Sequence, residues 1–109
     1  MSLFNLNNKS ILITGSSRGI GKSIATQCAL HGANVIISSR KLNACEATAD
    51  EINTLVGSEL AFPIAASISD ENQLKELVSL TREKLGKIDT LVCNAATNPF
   101  MGSMLDMPN

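Results

Sequence analysis

Tyrosine is missing from these 109 residues, so they offer no phenol as an acid or base. There is a single histidine, His31, which leaves a histidine-based metal site without a second imidazole. The three cysteines, Cys28, Cys45 and Cys93, stand at no paired spacing of the kind zinc or a redox dithiol uses. An odd, scattered set of thiols fits a reducing compartment and the role of small core residues. No apolar run approaches the roughly 18 residues of a membrane span. The first ten residues carry Asn5, Asn7 and Asn8 and lack the apolar core of a signal peptide. Nine Lys and Arg against ten Asp and Glu leave a formal charge of −1. That balance gives no general attraction to nucleic acid or an anionic membrane, so any affinity for phosphate must be local. The expectation is a soluble, cytoplasmic protein with neither a nucleic-acid nor a membrane partner; a C-terminal address signal stays open.

What is present is an alternation of short apolar runs and helical stripes, in a chain that is 44% apolar and long enough for one core. Ser10-Ile11-Leu12-Ile13-Thr14 predicts a strand buried on both faces, followed by a turn at Gly15. From Gly19 the period changes, and Ile20, Ile24, Ala25, Cys28 and Ala29 share a helical stripe closed by Gly32. Val35 to Ser39 reads as a second strand. A second helix is expected over Asn43–Val56, its stripe being Ala44, Ala47, Thr48, Ile52 and Leu55. Leu60 to Ala66 is the third strand, placed at a sheet edge by Pro63, which lacks a ladder donor. Ser69 or Asp70 caps a third helix with Leu74, Leu77, Val78, Thr81 and Leu85 on one face. Ile88 to Cys93 is the fourth strand. Right-handed crossovers then predict an α/β doubly wound parallel sheet in the order 3-2-1-4, an incomplete domain over residues 1–109.

The turn between the first strand and helix, Thr14-Gly15-Ser16-Ser17-Arg18-Gly19-Ile20-Gly21, is the chemically informative stretch. Gly15 allows a sharp departure from the strand, Gly19 leaves room for backbone to approach a pyrophosphate, and Gly21 permits close packing of helix on sheet. The helix start then offers unpaired N–H groups and partial positive charge to phosphates. A competing motif is Gly21-Lys22-Ser23, the end of a nucleoside-triphosphate P-loop, GxxxxGK[ST]. That pattern requires glycine at position 16, where Ser16 stands, and Asp89 sits at the wrong end of its strand to hold Mg²⁺.

At the end of the second strand the sequence reads Ser38-Ser39-Arg40-Lys41, where an NAD-binding domain places a carboxylate for the ribose hydroxyls. With no carboxylate to repel a 2′-phosphate, and with Arg40, Lys41 and Arg18 available to bind one, the expected cofactor is NADP(H).

The glycine spacing TGxxxGxG, its place after the first strand and the later Asn94-Ala95-Ala96 together resemble the short-chain dehydrogenases/reductases, essentially along the whole chain. The resemblance implies a Rossmann-type fold, a carbonyl or alcohol substrate and homo-oligomeric assembly. It implies cofactor contacts from Gly15, Ser16, Ser17, Arg18, Gly19, Ile20, Gly21, Ser39, Arg40 and Lys41. It also implies contacts at Ser67 and Ile68, where relatives carry an acidic or amide residue near the adenine, and at Asn94 and Ala95. Cys93 and Ala96 depart from the family's NNAG, and Asn98 to Ser103 is similar to NADP-dependent carbonyl and retinol reductases of the family. The family's catalytic Tyr-x-x-x-Lys is absent from these residues, as are its Ser and Asn, and Ser103 and Asn109 fall too early to replace them. Members run to roughly 250 residues, so the expectation is the front part of an oxidoreductase, inactive by itself; a non-catalytic nucleotide-binding module is the alternative. Charge-assisted hydrogen bonds contribute about 1.5–3 kcal/mol. In an intact enzyme, Arg40→Ala should therefore weaken NADPH about 10- to 100-fold in a binding titration and leave NADH nearly unchanged.

Overall fold

The computed structural model describes residues 5–93. Its elements run β1 (Ser10–Thr14), α1 (Gly19–Leu30), β2 (Asn34–Ser38), α2 (Leu42–Val56), β3 (Ala61–Pro63), α3 (Glu71–Leu85) and β4 (Thr90–Cys93). The four strands form one parallel sheet in the order β3-β2-β1-β4, as the crossover argument requires.

β1 is paired on both sides and every residue of it is buried, which is why its sequence is a continuous apolar run. The strand period of two divides the core. Ile11 and Ile13 of β1 and Val35 and Ile37 of β2 face one cluster, shared with Ala25 and Ala29 of α1 and Cys45, Ala49 and Ile52 of α2. Leu12 and Ile36 face the opposite cluster, where Leu74 and Leu77 of α3 close the other side. Small residues dominate the helix side of the first cluster, so α1 and α2 lie close against the sheet.

The expected stripe of α1 holds but for its first residue: Ala25 and Ala29 are buried and Ile24 and Cys28 pack against the same cluster, while Ile20 is 72% exposed. The stripe of α2 is rotated: the sheet receives Cys45, Thr48, Ala49 and Ile52, while Ala47 is exposed and Leu55 is 61% exposed. Small side chains, Cys45 and Ala49, meet the sheet where α2 approaches it. α3 follows its expected stripe, with Leu74, Leu77 and Thr81 buried, and it is Asp70 that caps it.

β3 is shorter than Leu60 to Ala66, yet the chain keeps following β2: the N–H groups of Ile64 and Ala66 donate to Ile37 and Ser39 at 3.0 and 2.9 Å. Pro63 immediately precedes Ile64, and because ladder donors alternate along a strand its missing N–H falls on the free side of an edge strand. Asn53 fastens this edge to α2. Its amide donates to Ala61 O at 2.9 Å, and its carbonyl accepts from Leu60 N and Ala61 N at 2.9 and 2.8 Å.

β4 begins two residues later than expected because Asp89 serves as a clasp. Its N–H donates to Ser10 O at 2.8 Å, and its carboxylate accepts from Ser10 N at 2.7 Å and pairs with Lys87 at 3.2 Å. The Ser10 hydrogen bond and the Lys87 ammonium hold the Asp89 carboxyl below its ordinary value. A carboxyl depressed in the folded state stabilises above its unfolded pKa of about 3.9, and that contribution is lost as pH falls through the lower folded value. The urea midpoint of Asp89→Asn should therefore lie below wild type at pH 7, and the two should converge as pH is lowered below about 4.

Candidate cofactor site

All four strands point the same way, so the segments leaving their C-terminal ends share one edge of the sheet. The strand order reverses direction beside β1, and a parallel sheet binds its ligands in the crevice outside such a reversal. Residues 15–19, 39–41 and 64–70 all leave the sheet at this edge. Asn94 and Ala95, expected to follow β4 there, lie outside the described residues.

The glycine turn is built around Ser16. Its side chain is fully buried; its hydroxyl donates to Ile13 O at 2.7 Å and accepts from Ser38 N at 2.8 Å, and its own N–H donates to Ser38 O at 3.1 Å. Ser16 therefore joins the ends of β1 and β2, and its hydroxyl is turned into the protein. Gly15 and Gly19 both adopt φ of +63°, the left-handed region that a side chain disfavours. A Cβ on Gly19 would meet nothing within 4 Å, so the space beside its backbone is open to a ligand. Gly21 is buried at the base of α1, as close helix–sheet packing requires. The carbonyl of Ser17 accepts from Thr48 Oγ1 at 3.0 Å. Ile20 stands out from the start of α1 beside Gly19 and Ile24, at the rim of the turn.

The helix starts differ in their electrostatics. α3 has an ordinary cap: Asp70 accepts from Asn72 N and Gln73 N at 2.9 and 3.2 Å, Glu71 lies in the first turn, and Arg82 and Lys84 lie in the last. α1 and α2 have none of this. Their N-cap positions are Arg18 and Lys41, neither makes a side-chain capping bond, and neither helix has an acidic residue in its first turn. Cations at the positive end of a helix dipole are unfavourable unless an anion joins them. Arg18 and Arg40 are exposed, as is Lys41, and none of the three forms an ion pair among the described residues. Lys22, by contrast, is engaged by Glu51 of α2 and is not directed at the turn as a P-loop lysine is.

Ser39 is half-buried, with its hydroxyl 3.2 Å from Cys45 Sγ and 3.5 Å from Lys41 O. Ser67 is already engaged: its N–H donates to Gln73 Oε1 at 2.8 Å and its hydroxyl lies 2.8 Å from that of Ser69. Ile68 packs against the α3-side core. Thus the turn and the 39–41 segment present groups outward, whereas Ser67 and Ile68 shape the wall beside them. Thr48 lay on the expected stripe of α2 and Cys45 did not; that the two support the site from behind is seen only in their contacts with Ser17 and Ser39.

The family described as short chain dehydrogenase matches residues 9–108. The Arabidopsis thaliana short-chain dehydrogenase/reductase SDRA is 40% identical over 102 residues, covering 92% of this chain and 39% of the plant protein. Dehydrogenase/reductase SDR family member 4 of Bos taurus is 38% identical over 104 residues, covering 94% of this chain and 36% of its own length. Among solved structures, the Pseudomonas aeruginosa RhlG/NADP active-site complex superposes with a TM-score of 0.77 at 35% identity, over 94% of this chain and 40% of RhlG. The Brucella melitensis 3-ketoacyl-(acyl-carrier-protein) reductase complexed with NADH gives 0.72 at 36% identity, over 80% of this chain and 34% of the reductase. The chain thus spans well under half of the proteins it matches. With the glycine turn, the strand order and residues 9–108 all in agreement, the chain belongs to the short-chain dehydrogenase family.

Proposed function

We propose that the chain forms the NADP(H)-binding part of an oxidoreductase that transfers a hydride between NADP(H) and a carbonyl or alcohol substrate. The observation that carries this is the pair of cationic, uncapped helix starts, Arg18 on α1 and Lys41 on α2, flanking the carboxylate-free Ser39-Arg40 segment. The donor set fits a dinucleotide with a third phosphate. The first N–H groups of α1 and the open backbone at Gly19 suit the pyrophosphate. Arg18, Arg40, Lys41 and the Ser39 hydroxyl suit a 2′-phosphate, a guanidinium doing so in bidentate fashion. The bound cofactor supplies the hydride donor or acceptor.

What these residues do is bind and orient. Arg18 neutralises charge at the junction of pyrophosphate and adenosine ribose, and the inward-turned Ser16 hydroxyl fixes the turn. Relatives bind either cofactor, NADP in the RhlG complex and NADH in the Brucella reductase, and the choice for this chain follows from its 39–41 segment. The 109 residues contain no tyrosine, so acid/base chemistry in this family's manner needs residues supplied by further chain. A homo-oligomeric parent is part of the same proposal.

Titration of the 109-residue chain with NADPH, NADH and ATP tests the proposal. NADPH should bind at least about 10-fold more tightly than NADH, the increment of a charge-assisted contact. ATP should not compete in a magnesium-dependent way, and equal affinity for NADPH and NADH would refute the assignment. Gly19→Ala separates folding from binding. It meets no atom but must hold φ near +63°, so its melting temperature should fall only by the equivalent of about 1–2 kcal/mol. Both dinucleotides should nevertheless bind much more weakly, because the methyl occupies the space the pyrophosphate needs.

A further inference from the structure

We infer that one face of α2 positions the site from behind, Thr48 holding the pyrophosphate turn and Cys45 holding the end of β2. The two fix the spacing between the halves of the dinucleotide. The inference rests on the NADP(H) reading and deepens it, by assigning discrimination at the 2′ end to a residue that the ligand does not reach.

Cys45 and Thr48 are three residues apart and share a helix face. Both are buried, Cys45 completely and Thr48 to 4% exposure, so neither meets a ligand. Thr48 Oγ1 donates to Ser17 O at 3.0 Å, which fixes the turn midway between Gly15 and Gly19. Cys45 Sγ lies 3.2 Å from Ser39 Oγ and 3.8 Å from Ser39 O, the residue before Arg40. Ala49 and Ile52 continue the same face into the core cluster, so the face cannot shift without disturbing the sheet.

The two contacts bear on different parts of the cofactor. Ser17 belongs to the turn that meets the pyrophosphate, common to NADPH and NADH. Ser39 belongs to the segment that reads the 2′ position. Cys45 Sγ and Ser39 Oγ are 3.2 Å apart and either can donate, and the thiol also faces Ser39 O at 3.8 Å; the Ser39 hydroxyl is held between Cys45 and Lys41 O, to which it donates at 3.5 Å. A 2′-phosphate oxygen is a far stronger acceptor. Cys45 is therefore a positioning residue for phosphate discrimination and Thr48 a positioning residue for dinucleotide affinity.

The test titrates NADPH and NADH into the 109-residue chain and its Cys45→Ala, Cys45→Ser and Thr48→Val variants, with melting curves on each. Cys45→Ala should weaken NADPH about 3- to 10-fold and leave NADH in place, and Cys45→Ser, which restores a donor, should regain the preference. Thr48→Val should weaken both cofactors by a similar factor, about 3- to 10-fold. A purely structural role for Cys45 would lower both cofactors together or neither, and either result overturns its assignment, as does a folded Cys45→Ser that has lost the preference. A Thr48→Val effect confined to one cofactor overturns the assignment of Thr48. If Cys45→Ala does not fold, Cys45→Val fills the space without a hydrogen-bonding group and carries the same expectation. A wild-type chain without preference for NADPH removes the underlying reading together with this one; a preference that survives Cys45→Ala removes only the role of Cys45.

Discussion

The Ser16 hydroxyl sits where β1 ends and touches the backbone where β2 ends, donating to Ile13 O and accepting from Ser38 N. Everything at this edge of the sheet takes its position from that junction. With the two strand ends joined, the turn that begins at Gly15 and the segment that begins at Ser39 start from fixed points, and α1 and α2 depart in fixed directions. A buried hydroxyl is costly if unsatisfied, and here both its donor and its acceptor capacity are used. The neighbouring Ser38 hydroxyl is the contrast: it is buried and has no partner among the described residues.

Stability and binding ask opposite things of a helix start, and the three helices divide along that line. α3 begins with an aspartate cap and a glutamate and ends among cations, which is what an isolated helix prefers. α1 and α2 begin with Arg18 and Lys41 and carry no acidic residue in the first turn. Local preference is violated at the two helices that open onto the crevice and respected at the third. Departures from local rules concentrated at one place are what a binding site produces.

The sheet was legible because its signals were local: Ser10–Thr14 is an unbroken apolar run, and the glycines at 15, 19 and 21 mark a turn whatever surrounds it. The register of the helices was less so. In α2, Leu55 is large and apolar and fits a 3.6-residue stripe, yet the sheet receives Cys45 and Ala49. Hydrophobicity marks a face only to within a residue or so, and the choice falls to side chains small enough for close approach. The same rotation hid one support of the site: Thr48 lay on the expected stripe, whereas Cys45 resembles any helix residue until α2 is turned toward Ser39. Ser67 was expected at the ligand; its N–H donates to Gln73 and its hydroxyl lies beside that of Ser69, contacts that helix and strand periodicity do not report.

The clasp between Ser10 and Asp89 joins positions 79 apart in sequence. β1 precedes β2 and β4 in the chain and is paired on both sides by them, yet one of its flanks is covered only when β4 arrives. During synthesis β1 and β2 can meet as soon as α1 has emerged, whereas the other flank of β1 waits for α2, β3 and α3. The entropic cost of closing so long a span grows only slowly with length, so the delay is set by the rate of synthesis, about 5–20 residues per second. For several seconds the strand destined for the interior therefore has an unpaired flank during synthesis, exposing its ladder donors and acceptors to solvent.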